Sequence, residues 1–361
     1  MPEAVDFQPE WFSPPGHAVS ETLDRLRKPI EDFAWEMDLD PEGVERLLDG
    51  RLAITEAIAG RLEKALGVSA SFWVIREAQY RKDMTRVAES IPDSHAREWV
   101  NKFPYKDMTK LGWIEDSKDT SARLAECMRY FDVASIEGFE RRIEGILGGI
   151  RLRTSQTLKS NPASLSAWIR RGEIEAGKLS CADWNPTNLE AALPDLRKLT
   201  LIRDPQKFLP AMASICADAG VALVIAKAPA GCRASGVTKF LSPDKALLML
   251  SFRYLSDDHF WFSFFHECGH LILHDPETTF VEGEENANDE YEEEANAFSE
   301  QILIPDPWSR LLDKLPLKEK EIIRFAVRAG ISPGIIVGQL QHRGRLSHNF
   351  FSYLIRRYQW S

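Results

Sequence analysis

Residues 258–274, DHFWFSFFHECGHLILH, carry His266-Glu267-Cys268-Gly269-His270 inside a stretch that is apolar on almost every side. Two imidazoles four residues apart fall on one face of a helix. The flanking Phe260, Trp261, Phe264, Phe265, Leu271 and Ile272 predict that the rest of that helix is buried, with Ser256 or Asp257 as its N-cap. The spacing also has a chemical meaning. His266 and His270 can take two corners of a tetrahedral zinc site, and Glu267, at the next helical position, can accept a proton from water bound there.

A third ligand should come from a nearby helix. Glu292 stands twenty-two residues after His270, and with Asn296 it shares one helical face. The carboxylate can bind the metal while the amide steadies a ligand histidine. Glu293 and Glu294 point elsewhere on the wheel and read as a solvated acidic face. His274 continues the histidine face by one turn and reads as a supporting residue or a cap at the helix end; as a fourth ligand it would close the site. Cys268 points away from the metal face and reads as a core thiol. Cys232, in the turn PAGCRASG, reads as a loop cysteine, with a redox-sensitive latch as the sharper alternative. Tyr254, Tyr291 and His342 are the candidates for steadying an oxyanion.

Around this motif the chain falls into parts. VALVIA (residues 221–226) and KALLMLSFRY (residues 245–254) are β-rich runs, separated by the turn-forming PAGCRASGVTKFLSPD. A second helix is predicted over residues 290–303, stopped by Pro305. The first 84 residues read as short helices. Ile30, Phe33, Ala34 and Met37 form one apolar stripe, and Val44, Leu47 and Leu48 another after the Asp40 cap and Pro41. Thr55 opens a helix burying Ile58, Leu62, Ala65 and Leu66 and ended by Gly67; Ser69 opens the next, with Phe72 and Trp73 as anchors. Two short helices around a tight turn make a helix-turn-helix arrangement. Residues 85–205 read as a helical connector and residues 311–361 as a basic helical segment.

Charge follows the same outline. Residues 1–84 hold 10 Lys/Arg against 17 Asp/Glu, whereas residues 314–361 hold 9 against 2. Residues 281–294 carry eight carboxylates and no basic residue. The whole chain nets −10, which argues against a grip on DNA or anionic lipid by the protein as a whole. No run of eighteen apolar residues occurs, so no membrane span is expected. The acidic MPEAVDFQPE lacks an apolar signal region, and five scattered cysteines form no CxxC pair. A reduced, cytoplasmic protein is the expectation.

Two stretches resemble known families. LLDGRLAITEAIAGRLEKALGVSASFW looks like the HigA-type branch of the xenobiotic-response-element repressors, a likeness spanning residues 14–84. RASGVTKFLSPDKALLMLSFRY, DDHFWFSFFHECGHLILH and EEEANAFSEQILIP resemble the ImmA/IrrE metallopeptidases over residues 205–310. The resemblance implies a mainly α protein with a small α+β zincin-like (gluzincin-type) peptidase domain over residues 206–310, preceded by an all-α helix-turn-helix domain over residues 1–84. It places the zinc histidines on His266 and His270, the catalytic glutamate on Glu267 and the zinc glutamate on Glu292. Asn296 stands where gluzincins carry an aspartate.

What the resemblance implies is a zinc metalloendopeptidase that cuts a repressor or antitoxin-like protein, and so regulates transcription, a stress response, or a mobile-element or toxin–antitoxin system. The alternative is a HigA-like DNA-binding regulator or antitoxin whose zincin domain is a sensor or scaffold. A recognition helix carrying Glu42, Glu45 and Asp49 against one Arg46 repels phosphate, so residues 1–84 are expected to bind duplex DNA weakly. In the basic C-terminal segment, Arg343, Arg345, Arg356 and Arg357 would either neutralise the acidic run or form a cationic rim for a single-stranded nucleic acid or acidic partner.

Overall fold

Five amphipathic helices open the chain: α1 (Pro15–Leu26), α2 (Ile30–Met37), α3 (Pro41–Leu48), α4 (Glu56–Leu66) and α5 (Ala70–Ser90). The computed structural model describes residues 13–39, 41–48, 52–133, 136–148, 160–276, 278–282 and 290–359. Val19, Leu23, Phe33, Met37, Val44, Leu47, Leu62 and Trp73 fill one apolar cluster between the helices. The α1–α3 approach depends on Gly16, where a Cβ would stand 1.9 Å from the Leu48 carbonyl oxygen. Thr55 caps α4 by accepting from the Ile58 N–H, Ser69 caps α5 by accepting from the Phe72 N–H, and Gly67 ends α4 at φ +72°.

Two anchors differ from the periodic reading. Ile30 is exposed, and so is Phe72, while Trp73 is fully buried and donates its indole N–H to Val68 O at 3.1 Å. One ring of the Phe72–Trp73 pair had to face out, and the indole has the hydrogen-bond partner that lets it go in. Asp40, Asp49 and the side chains of Glu42, Glu45 and Arg46 lie outside the described residues.

Four further helices follow: α6 (Asp93–Asn101), α7 (Tyr105–Lys110), α8 (Thr120–Phe131) and α9 (Ile136–Gly148). Trp99, Phe103, Phe131 and Phe139 pack there as an aromatic cluster. The chain divides into two units, Met1–Gly145 and Ile146–Ser361. The helices read as a connector are therefore divided: α6–α8 and most of α9 lie in the first unit, and the two helices between residues 162 and 198 in the second.

The second unit starts with α10 (Pro162–Lys178), α11 (Pro186–Lys198) and α12 (Pro205–Asp218), then a mixed sheet of β1 (Val221–Ile225), β2 (Gly236–Ser242), β3 (Lys245–Leu250) and β4 (Phe280–Glu282). The strand order is β1-β3-β2-β4, with β1 parallel to β3 and the other pairs antiparallel. Both faces of β3 are covered, which explains its unbroken apolar run. Leu247 and Met249 meet α10 at Gly172, whereas Ala246, Leu248 and Leu250 join the core of Phe260, Trp261, Phe264 and Phe265 on α13 (Asp257–Leu273). The segment read as a turn thus holds strand β2. Its Pro, Gly and Ser residues sit at the two ends, and the alternating stretch between them pairs on both sides.

After α13 come α14 (Glu290–Leu303), α15 (Trp308–Leu312), α16 (Glu319–Ala329) and α17 (Pro333–His342). Ser256 occupies the N-cap of α13 without a side-chain cap bond, and Asp257 is buried instead. It accepts hydrogen bonds from Ser332 Oγ and, at 3.0 Å, from the Arg356 N–H. The C-terminal arginines are engaged by structure. Arg343 pairs with Asp313 at 2.9 Å, Arg345 donates to the Leu312 and Leu315 carbonyls, Arg356 to Thr200 O, and Arg357 to Tyr254 O. Residues 283–289 of the acidic run lie outside the described residues, and within those described the four side chains are held by these contacts. They tie the terminal segment to the unit's own carbonyls and acids.

Candidate metal centre

Helix α13 buries all of His266, Glu267 and His270. Helix α14 crosses it where Gly269 faces Ala295: a Cβ at 269 would sit 3.2 Å from the Ala295 Cα. Ser299 Oγ, one helical turn beyond, donates to Phe262 O at 2.9 Å and fixes the register. That close, pinned crossing brings Glu292 to the histidines.

His266 Nε2 stands 3.0 Å from His270 Nε2, and the Glu292 carboxylate lies 3.2 Å from the first and 3.3 Å from the second. Around a tetrahedral zinc with bonds of about 2.0–2.1 Å, neighbouring ligand atoms are about 3.3 Å apart. The donor set suits zinc equally well. His266 Nδ1 faces Asn296 Oδ1 at 3.0 Å. An amide oxygen only accepts, so Nδ1 carries the hydrogen and Nε2 presents its lone pair. Lone pairs and a carboxylate thus converge, and Glu292 Oε2 is buried without a hydrogen-bond donor. Such a group calls for a cation. Among the described residues it is the set of three or more side chains that could hold a metal ion, and neither His274 nor Cys232 belongs to it.

The acids around the centre make it a place that favours positive charge. Burial alone would lower the His266 value, yet Glu292, Glu282 and Glu267 raise it to about 9. For His270 burial wins over Glu292 and lowers it to about 4. Burial works to raise Glu292, but the two imidazoles hold it at about 2. Glu267 is pushed well above the usual carboxylate range by burial, with Glu282 and Glu292 adding to the push and His266 opposing it.

The sheet contributes residues that the sequence reading missed. Gly236, the first residue of β2 and paired with Leu250 of β3 and Glu282 of β4, leaves the space that Glu267 fills: a Cβ there would be 2.3 Å from Glu267 Oε1. Glu282 of β4 is buried and accepts from Ser263 Oγ at 2.8 Å. Phe280 stacks flat on His270, centroids 4.1 Å apart. A signal for Gly236 and Phe280 existed only in the pairing of two strands, one read as a turn and the other three residues long.

The remaining candidates separate. His274 caps the end of α13; its Nδ1 is 2.9 Å from His270 Nδ1 and its Nε2 3.1 Å from Glu294 Oε2. Glu294 is therefore half in contact, where a purely solvated face was expected. Tyr254 and His342 line a cleft of about 540 Å³ that reaches Phe262, Glu282 and Asn296 at the edge of the centre. Tyr291 instead packs edge-on against His274. Cys268 is buried in the core, as a thiol on the far helical face must be.

The fold and this centre define a zincin-like domain in a mainly helical protein. Residues 225–340 match the family model for the IrrE N-terminal-like domain, Peptidase_M78. Over 80 residues the chain is 31% identical to the uncharacterized HTH-type transcriptional regulator YddM of Escherichia coli, a match covering 20% of this chain and 85% of that protein. The chain belongs to the ImmA/IrrE family, a family of metallopeptidases, and carries a helix-turn-helix domain.

Proposed function

We propose that the protein is a zinc-dependent metalloendopeptidase that cuts a repressor or antitoxin-like protein and thereby controls transcription. The observation that carries this reading is the triangle of His266 Nε2, His270 Nε2 and the Glu292 carboxylate, with edges of 3.0, 3.2 and 3.3 Å, beside the buried Glu267 carboxylate, which has no hydrogen-bond donor. His266, His270 and Glu292 would hold the ion. The chemistry that a bound zinc supplies at such a site is Lewis acidity toward a water molecule and a carbonyl oxygen. Glu267 takes the proton of the attacking water and returns it to the leaving amine; its carboxylate occupies the space that the missing Cβ of Gly236 leaves. Asn296 keeps His266 in the tautomer whose Nε2 is free to bind. The cleft along Phe262 and Asn296, with Tyr254 and His342 on its walls, is the space for the substrate chain.

The helix-turn-helix domain selects or tethers the partner in this reading. The 17 acidic against 10 basic residues of positions 1–84 disfavour tight operator binding. The test is incubation of the zinc-loaded protein with a candidate repressor, comparing wild type with Glu267→Gln. Loss of cleavage on the order of 10²–10⁴-fold with zinc retained is expected. Cleavage by the variant at the wild-type rate would refute Glu267 as the base.

A further inference from the structure

His270 and His266 reach the ion site in different ways. His266 is oriented directly by an amide from α14, but the Nδ1 of His270 meets another imidazole, His274 Nδ1, at 2.9 Å. Two imidazole nitrogens share one hydrogen at that distance, so one must donate and the other accept. The rest of the chain decides which. The opposite nitrogen of His274, Nε2, lies 3.1 Å from Glu294 Oε2, and a carboxylate only accepts. His274 therefore carries its hydrogen on Nε2 and offers a lone pair at Nδ1. His270 must then donate from Nδ1, which leaves its Nε2 lone pair pointing at Glu292 and His266.

The surroundings make this arrangement hard to replace. The His274 side chain is 1% exposed, and Phe280 and Tyr291 pack on its ring at 5.1 and 4.6 Å, so water has little access to the Nδ1 of His270. The backbone leaves the helix at His274 (φ −116°) while its N–H still donates to His270 O at 3.2 Å. That turn is what swings Nδ1 toward His270 and keeps Nε2 away from the ligand triangle. Glu294, by contrast, has a side chain 54% exposed and can exchange its role with solvent.

We infer that His274 and Glu294 are positioning residues, a two-step relay that locks His270 in its metal-binding tautomer from the solvent side of α14. The inference rests on the reading of His270 as a ligand. Removing His274 would strand a buried N–H on His270 and free its ring to turn, and outer partners of this kind are worth on the order of 10–100-fold in metal affinity.

The experiment measures zinc affinity of the full chain by chelator competition, together with the visible absorption spectrum of the cobalt-loaded protein. His274→Ala should bind zinc on the order of 10–100-fold more weakly and shift the cobalt bands. His274→Asn, whose amide oxygen can occupy the place of Nδ1 and accept from His270, should recover most of the affinity. Glu294→Ala, at a half-exposed position that should not disturb folding, should cost a few-fold. Wild-type affinity in His274→Ala, or a His274→Asn variant as weak as His274→Ala, would overturn the relay and leave a packing role. A wild type that takes up neither zinc nor cobalt would overturn the ligand reading itself, and the relay with it.

Discussion

Between residues 13 and 84 the interior is made of Val19, Phe33, Met37, Leu62 and Trp73, and the buried polar side chains among the described residues there are Thr22 and Glu77. Between residues 235 and 299 the interior holds Thr238, Ser263, His266, Glu267, His270, His274 and Glu282. Burying a polar group without a partner costs several kcal/mol, and a charge more. The helical cluster largely avoids that cost: Thr22 donates to Ala18 O, and the buried acid among its described residues, Glu77, accepts from Arg81 one turn along the same helix. The centre accepts it, and offsets part of it with partners aimed at single atoms: Asn296 at His266 Nδ1, His274 at His270 Nδ1, Ser263 at Glu282. An apolar interior needs only to be filled. An interior of this second kind serves chemistry, since an apolar helix would fold as well.

The sharpest way to break the comparison is to refill the centre with carbon. Gly236→Ala places a methyl group 2.3 Å from Glu267 Oε1. Proteolytic activity should fall by a factor approaching that for loss of the base, on the order of 10²-fold or more, with zinc content unchanged. An active Gly236→Ala enzyme would show that the carboxylate does not need the space the glycine leaves.

Acid in the interior should also leave a mark on pH dependence. Burial raises Asp257 from 3.8 to about 6, against the pull of Ser332 and Arg356. The folded chain then holds this proton more tightly than the unfolded one. The aspartate's contribution is most favourable below pH 4 and is lost as pH rises through about 6, a change of about 3 kcal/mol. Asp257→Asn should gain stability relative to wild type over that window in denaturant titrations. A difference that stays constant from pH 4 to pH 7 would contradict the assignment.

The smallest expected effect belongs to the helix-turn-helix side. The full chain should bind duplex DNA no better than roughly 10⁻⁵ M at physiological salt, the non-specific range. A footprint at nanomolar concentration on a defined operator would replace the partner-binding role with operator recognition.

What could be read in advance follows the same division. The helix over residues 257–273 and the shared face of Glu292 and Asn296 are local patterns with a period of 3.6, visible in one sequence. So was the mainly helical fold with a small sheet. Gly236, Glu282 and Phe280 were invisible because they reach the centre through the register of β2 with β4, a pairing between segments more than forty residues apart. Periodicity also misjudged Phe72 and Glu294. Which of two adjacent rings turns inward, and which acid finds a histidine, is decided by the neighbouring element rather than by the helix that carries them.

Zinc stoichiometry of the purified, zinc-equilibrated full chain tests the central claim most directly. Elemental analysis should find one zinc per chain in the wild type and in Glu267→Gln, and none retained in His266→Ala. A wild-type chain that neither carries zinc nor takes it up, or a His266→Ala chain that holds it as well as wild type, would contradict the metal centre assigned to His266, His270 and Glu292.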